Sequence, residues 1–414
     1  MSIRRVLLPL IMSLSVFPAQ ADIAFFGAAL GHVWNTHPEV VQARNTALAA
    51  GYDVTGAYAG FLPYAQIDSG LQTKSSTGVA RIVLPLFSGG ATLAAIDGAS
   101  AAETQAKADV GRAQLRIGLK LVDAWFNWLA SREQDQQWRD YLAQLQTLTG
   151  IIERRAEEGV SPPADVTMII SRKRQAEAQA EQNRSVMSSA RAQLAALLGT
   201  ESIGDASWPG SSRQLSDAEA DAAWSRASEQ HPDILAAMAN ISRQDAERRV
   251  NRGRLSPEVV LRRIEPLGNE PTFSEGRTEL ALLYQTDSGF RALQSFRGGD
   301  NRIEAAKAAL DTSRRETQAA IDAAKAERRA LALQIGFQQE AAAATAELIE
   351  SSIRQFKVGR KTWLEVLNVL REANDTRLQL AQQRRAFWAA NQRLALQGLY
   401  WESLLRETFQ EKAP

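Results

Sequence analysis

Cysteine is missing from all 414 residues, and histidine occurs only three times. Without cysteine there is no disulfide framework, no thiolate metal site and no lipid-modified cysteine. The histidines have no ligand spacing, so no metal is expected. Long apolar runs are scarce too. The stretch Val6 to Phe17 is shorter than the roughly 20 residues a helix needs to span a bilayer, and no later run reaches about 18. Any passage through a membrane would therefore fall to strands closed into a barrel, because only helices and closed barrels satisfy their backbone hydrogen bonds in lipid. Net charge is also small, with 48 basic against 47 acidic residues. No basic face stands out, so nucleic acid is not an expected partner. Gly-x-Ser-x-Gly and phosphate-binding glycine loops are absent, and the carboxylates share helix faces with Lys and Arg. We read no enzyme and no cofactor.

What the sequence does contain is a duplication. Residues 1–21 read as a secretory signal, with Arg4 and Arg5 ahead of the apolar run and Ala19-Gln20-Ala21 as a small-residue cleavage site. A helical pattern follows to Tyr58, then a strand pair at about 61–87. The pair is closed by Leu84-Pro85-Leu86-Phe87-Ser88-Gly89-Gly90, and Lys74-Ser75-Ser76-Thr77-Gly78 reads as its turn. A long helix then runs from Ala91 to about Arg155. Its apolar residues Leu115, Leu119, Val122, Phe126 and Leu129 are spaced four, three, four and three apart, a coiled-coil seam. A tip at about 156–165 and a returning helix to about Leu198 complete the first repeat, 22–199, and 200–215 is a linker.

The second repeat, 216–408, follows the same order and leaves a tail at 409–414. His231-Pro232-Asp233-Ile234 answers His37-Pro38-Glu39-Val40 inside helices expected over 22–58 and 217–250. Strands at about 256–285 include the adjacent Arg262 and Arg263. Arg297-Gly298-Gly299 answers Ser88-Gly89-Gly90, with the long helix expected from about Asn301, and a second tip lies at about 356–365. At each tip a glycine, Gly159 or Gly359, can supply the left-handed residue that ends a helix. Pro162-Pro163 or Thr362 with Glu365 then starts the next.

Strands of about ten residues suit a bilayer crossing. Four of them cannot close a barrel, and an open sheet in lipid would leave two unpaired edges. Several chains must share one pore. Three would give twelve strands, although strand number alone leaves two or four open.

The duplicated order, the Leu84 to Gly90 junction and the two tips together resemble the outer membrane factor family, the TolC-like export channels. The likeness covers nearly the whole chain after residue 21. It implies a mainly α fold with a membrane β-barrel: a homotrimer whose twelve-stranded barrel in outer membrane lipid continues into a periplasmic α-helical barrel. It also implies a passive exit duct in a tripartite system, with a periplasmic adaptor and an inner membrane transporter of ABC type as partners. Asp165, Phe356 and Lys361 fall on the family's gate latch. Phe356 replaces a tyrosine and Lys361 an arginine, so a looser latch is expected. Glu365 and Asn368 fall on the carboxylate ring, one acid kept and one neutralised. Gly159, Val160, Val358, Gly359 and Arg360 are the candidates for adaptor docking. Without the resemblance, Asp165 is an acid in a helix's first turn and Glu365 a capping partner. The tip Gly-Arg-Lys-Thr-Trp-Leu-Glu-Val-Leu-Asn followed by Arg371-Glu372 looks more like members serving type I protein secretion than like multidrug efflux members. Small-molecule efflux is the alternative. A periplasmic coiled-coil adaptor is another, but it would need one hairpin and lipoyl-like β segments.

Overall fold

A computed structural model describes residues 25–72, 75–201, 204, 206–209, 214–267, 276–284 and 291–405. The expected signal and C-terminal tail lie outside these. The first half runs α1 (Phe26–Thr36), α2 (Pro38–Tyr58), β1 (Tyr64–Gln72), β2 (Ser75–Phe87), α3 (Ala91–Glu157) and α4 (Pro163–Leu198). The second runs α5 (Asp217–Gln230), α6 (Pro232–Gly253), β3 (Glu258–Leu267), β4 (Arg277–Leu283), α7 (Arg291–Lys357), α8 (Trp363–Gln397) and the short α9 (Trp401–Leu405). The long helices α3 and α7 have 67 residues each, rods of about 100 Å at 1.5 Å per residue.

Three expectations are corrected. Each helix expected over 22–58 and 217–250 is two helices, because a residue before proline is driven out of the helical region. His37 (ψ 129°) and His231 (ψ 133°) are extended instead. Each then caps the new helix, its Nδ1 accepting the N–H of Glu39 or Asp233 at 3.3 Å. Those acids pin the breaks to α3, Glu39 by pairing with Arg116 and Asp233 with Arg112 at 2.7 Å. Burial lowers the pKa of His231 and keeps the ring an acceptor, against a smaller upward pull from Asp233.

Second, Ser75 to Gly78 belong to β2 rather than to a turn, and pair with Gln72 to Ser69 of β1. Third, Arg297-Gly298-Gly299 does not open α7 but lies within it. A Cβ on Gly299 would stand 2.8 Å from Arg248 Cγ, so this glycine lets α6 and α7 approach closely rather than turning the chain.

The four strands form one antiparallel sheet in the order β1-β2-β3-β4, with β1 and β4 at its edges. Register sorts the residues by face, since cross-strand partners share one. Ala65, Ile82, Arg263 and Thr278 align, as do Leu84, Leu261 and Leu280 on the same face. Ile67, Ile82, Leu86, Leu280 and Leu282 make that face apolar and exposed. The opposite face carries Asp68 paired with Arg81, and Arg262 paired with Glu279. It also buries Val83 and Val260. Of the adjacent arginines, Arg263 is therefore the one on the apolar face. Its charge is met there by Glu265 at 2.5 Å, and it donates to Thr278 at 3.3 Å.

Two apolar cores hold the helices. The larger gathers Phe26, Trp34, Trp125, Phe126 and Trp388 from α1, α3 and α8, with the Trp34 ring 5.0 Å from that of Trp401 of α9 and tilted 59° to it. The smaller lies near the tips and is shared by α3, α4, α7 and α8.

Candidate gate and channel elements

Both long helices end in the same way because each places a glycine where the chain must turn left-handed. Gly159 has φ +72° and Gly359 φ +75°. Val160 N–H reaches back to Arg155 O at 2.8 Å, and Arg360 N–H to Gln355 O at 2.9 Å. This six-to-one bond of the Schellman type satisfies a carbonyl the helix end leaves open. Val160, Val358 and Arg360 are exposed around the two turns.

The returning helices start differently. At α8, Glu365 Oε2 accepts from Thr362 N–H at 2.7 Å, and Glu365 N–H donates to Thr362 Oγ1 at 3.3 Å. This reciprocal capping box holds the Glu365 carboxyl below its ordinary pKa, chiefly through the Thr362 backbone bond. Folding favours the ionised form, so its contribution is full above the ordinary carboxylate range and fades as pH falls through the lowered value. Replacing Thr362 with alanine should cost about 1 kcal/mol locally. Hydrogen exchange of the amides at 363–366 should quicken about fivefold, while amides at 385–395 should keep their rates.

The five gate candidates do not converge within one chain. Asp165, half-buried in the first turn of α4, forms no ion pair among the described residues; its N–H donates to Pro162 O at 3.0 Å. Lys361 turns back to Ser352 Oγ at 3.0 Å, within its own hairpin. Phe356 is 5% exposed, in the core shared by both hairpins. Glu365 is occupied in its cap, and Asn368 is exposed beside the groove between α4 and α8. Besides that shared core, Arg155 of α3 ties the tips, its Cζ lying 5.5 Å from the Phe356 ring centroid. A cation over an aromatic face attracts without needing the hydroxyl that Phe356 lacks. Sequence reasoning missed Arg155, which carries no motif and meets Phe356 only through the fold.

The comparisons agree with this architecture. The family described as outer membrane efflux protein matches residues 32–200. No curated protein sequence matches significantly. Among solved structures, the fold is similar to the outer membrane protein VceC of Vibrio cholerae (TM-score 0.75, 14% identity, 92% of this chain and 96% of that one). It is similar also to the CmeC outer membrane channel of Campylobacter jejuni (0.76, 10%, 90% and 85%). The open-state MtrE outer membrane channel of Neisseria gonorrhoeae is a third (0.70, 15%, 90% and 89%). Residues 32–200 thus match the outer membrane efflux protein family, and the fold of the chain as a whole is that of outer membrane channel proteins.

Proposed function

We propose that three copies of this chain close one twelve-stranded barrel and form the exit duct of a tripartite exporter. In this reading the tips meet a periplasmic adaptor, and an ABC-type inner membrane transporter supplies the energy. The observation that carries the duct is the four-stranded sheet. It has one apolar exposed face and two edge strands, and it leads into helices of 67 residues. Unpaired edges are untenable in lipid, and β4 of one copy laid against β1 of the next removes them. With three copies the closed wall has an even strand number.

For cargo, we favour polypeptides, on the strength of the tip Gly359 to Asn368 followed by Arg371-Glu372. Small-molecule efflux is the second reading, favoured by the description of the matching family. Deleting the protein and comparing both outputs separates them. Loss of particular polypeptides from the culture medium, with unchanged resistance to dyes and detergents, is the expected result. Unchanged secretion with lost resistance would establish the second reading instead.

A further inference from the structure

Above the tips, α3 packs against both α4 and α8, and a groove of about 470 Å³ opens between the latter two. That volume is within the range of sites for small organic ligands, roughly 300–1,000 Å³. Its floor is aromatic, from Trp138 and the buried Tyr141 of α3, and Met168 of α4 and Leu367 of α8 add apolar wall.

Two polar features mark it as more than a packing gap. Asn374, on α8, is 5% exposed and lines the groove, yet its Oδ1 has no hydrogen-bond partner. A buried carbonyl oxygen in this condition is normally satisfied, so it calls for a donor from whatever occupies the space. At the rim stand Arg172 of α4 and Arg371 of α8, neither in an ion pair among the described residues; Arg172 donates only to Gln175 at 3.3 Å. One acid, Asp375, shares the rim and leaves it one positive charge in excess. These charges bear on one point. Burial raises the Tyr141 hydroxyl's pKa, Asp375 raises it further, and Arg371 and Arg172 pull it back.

We propose that this groove binds a small amphipathic carboxylate with an amide N–H. Its apolar body would lie on Trp138 and Tyr141, its N–H would donate to Asn374 Oδ1, and its carboxylate would bridge Arg172 and Arg371. Short acylated peptides have this chemistry. Because the ligand would touch both hairpins at once, it would stabilise whichever spacing of α4 and α8 it fits, and so regulate the duct. The binding step stands apart from the cargo reading, since it is measured without transport.

The test uses the full-length protein purified in detergent, with N-acetyl-Leu-Phe and its C-terminal amide as probes in isothermal titration calorimetry. The acid should bind at least tenfold more tightly than the amide, as expected when a charge-assisted hydrogen bond is lost. The double substitution of Arg172 and Arg371 by glutamine should erase that preference. Both side chains are exposed, and an unchanged circular dichroism melt would show the fold intact. Absence of binding by the acid, equal binding of acid and amide, or a double variant that still prefers the acid would overturn the proposal.

Discussion

Replacing Gly89 with valine should leave little assembled protein in the outer membrane, whereas replacing the adjacent Gly90 with alanine should leave most of it. Both glycines turn the chain from strand to long helix with positive φ, +63° and +85°. Any L-residue in that region costs about 1–2 kcal/mol. The surroundings separate the two. A Cβ at Gly89 would stand 2.6 Å from the carbonyl oxygen of Gly253 and 2.6 Å from Ser256 Cβ, where α6 turns towards β3. At Gly90 nothing lies within 4 Å. Gly253 meets the junction from the other side, since its own Cβ would stand 2.6 Å from Ala91 N. Two backbones are therefore in contact here, and neither can yield without moving a strand or a helix. Gly90→Ala should incur only the conformational cost, while Gly89→Val adds an overlap that no rotamer relieves and a β-branched residue poorly suited to positive φ. The oligomer band of outer membrane fractions, run without heating, reads the difference. Equal band intensity for the two variants would mean that the crossing of the two repeats is looser than these distances require.

That junction also shows which parts of the fold the sequence discloses. Ser88-Gly89-Gly90 was legible because a local backbone demand, positive φ, selects a residue type. The same pattern at Arg297-Gly298-Gly299 misled, because glycine also serves a nonlocal purpose, here the approach of the Arg248 side chain to α7. The two helix breaks were present as His-Pro, but apolar spacing through Val40 and Ile234 masked them. Capping by Thr362 and Glu365 could be read from their three-residue spacing alone. The tie between Arg155 and Phe356, and the meeting of Arg172, Arg371 and Asn374 around one groove, could not. They join residues distant in sequence whose types are common on solvated helices, and only the packing of α3 against α4 and α8 brings them together.

Substituting arginine at Leu280 should destabilise the assembled channel by about 2–4 kcal/mol per chain, the range for an arginine facing lipid near the bilayer midplane. Substituting it at Ala281 should leave assembly near normal and shift ion selectivity towards anions. The two residues are neighbours on β4 and so point to opposite faces. Leu280 is 67% exposed and aligned with Leu261 and Leu84 on the apolar face, two residues from Leu282 on that same side. Ala281 is aligned with Val260 on the face that also carries Arg262, Glu279, Arg81 and Asp68. Arg263 already shows what the apolar face demands of a cation, because it is met there by Glu265 and Thr278. An arginine at Leu280 would have Leu261 and Leu282 around it and no carboxylate of its own face within the same rung. At Ala281 an added guanidinium would join a surface already furnished with charges, and in a closed barrel that surface lines the water-filled interior. Thermal dissociation of the purified oligomer measures the first effect and reversal potentials in planar bilayers the second. If Ala281→Arg abolished assembly while Leu280→Arg conducted normally, the sheet would have to present its charged face to lipid. The unpaired edges of β1 and β4 would then need some closure other than a shared barrel.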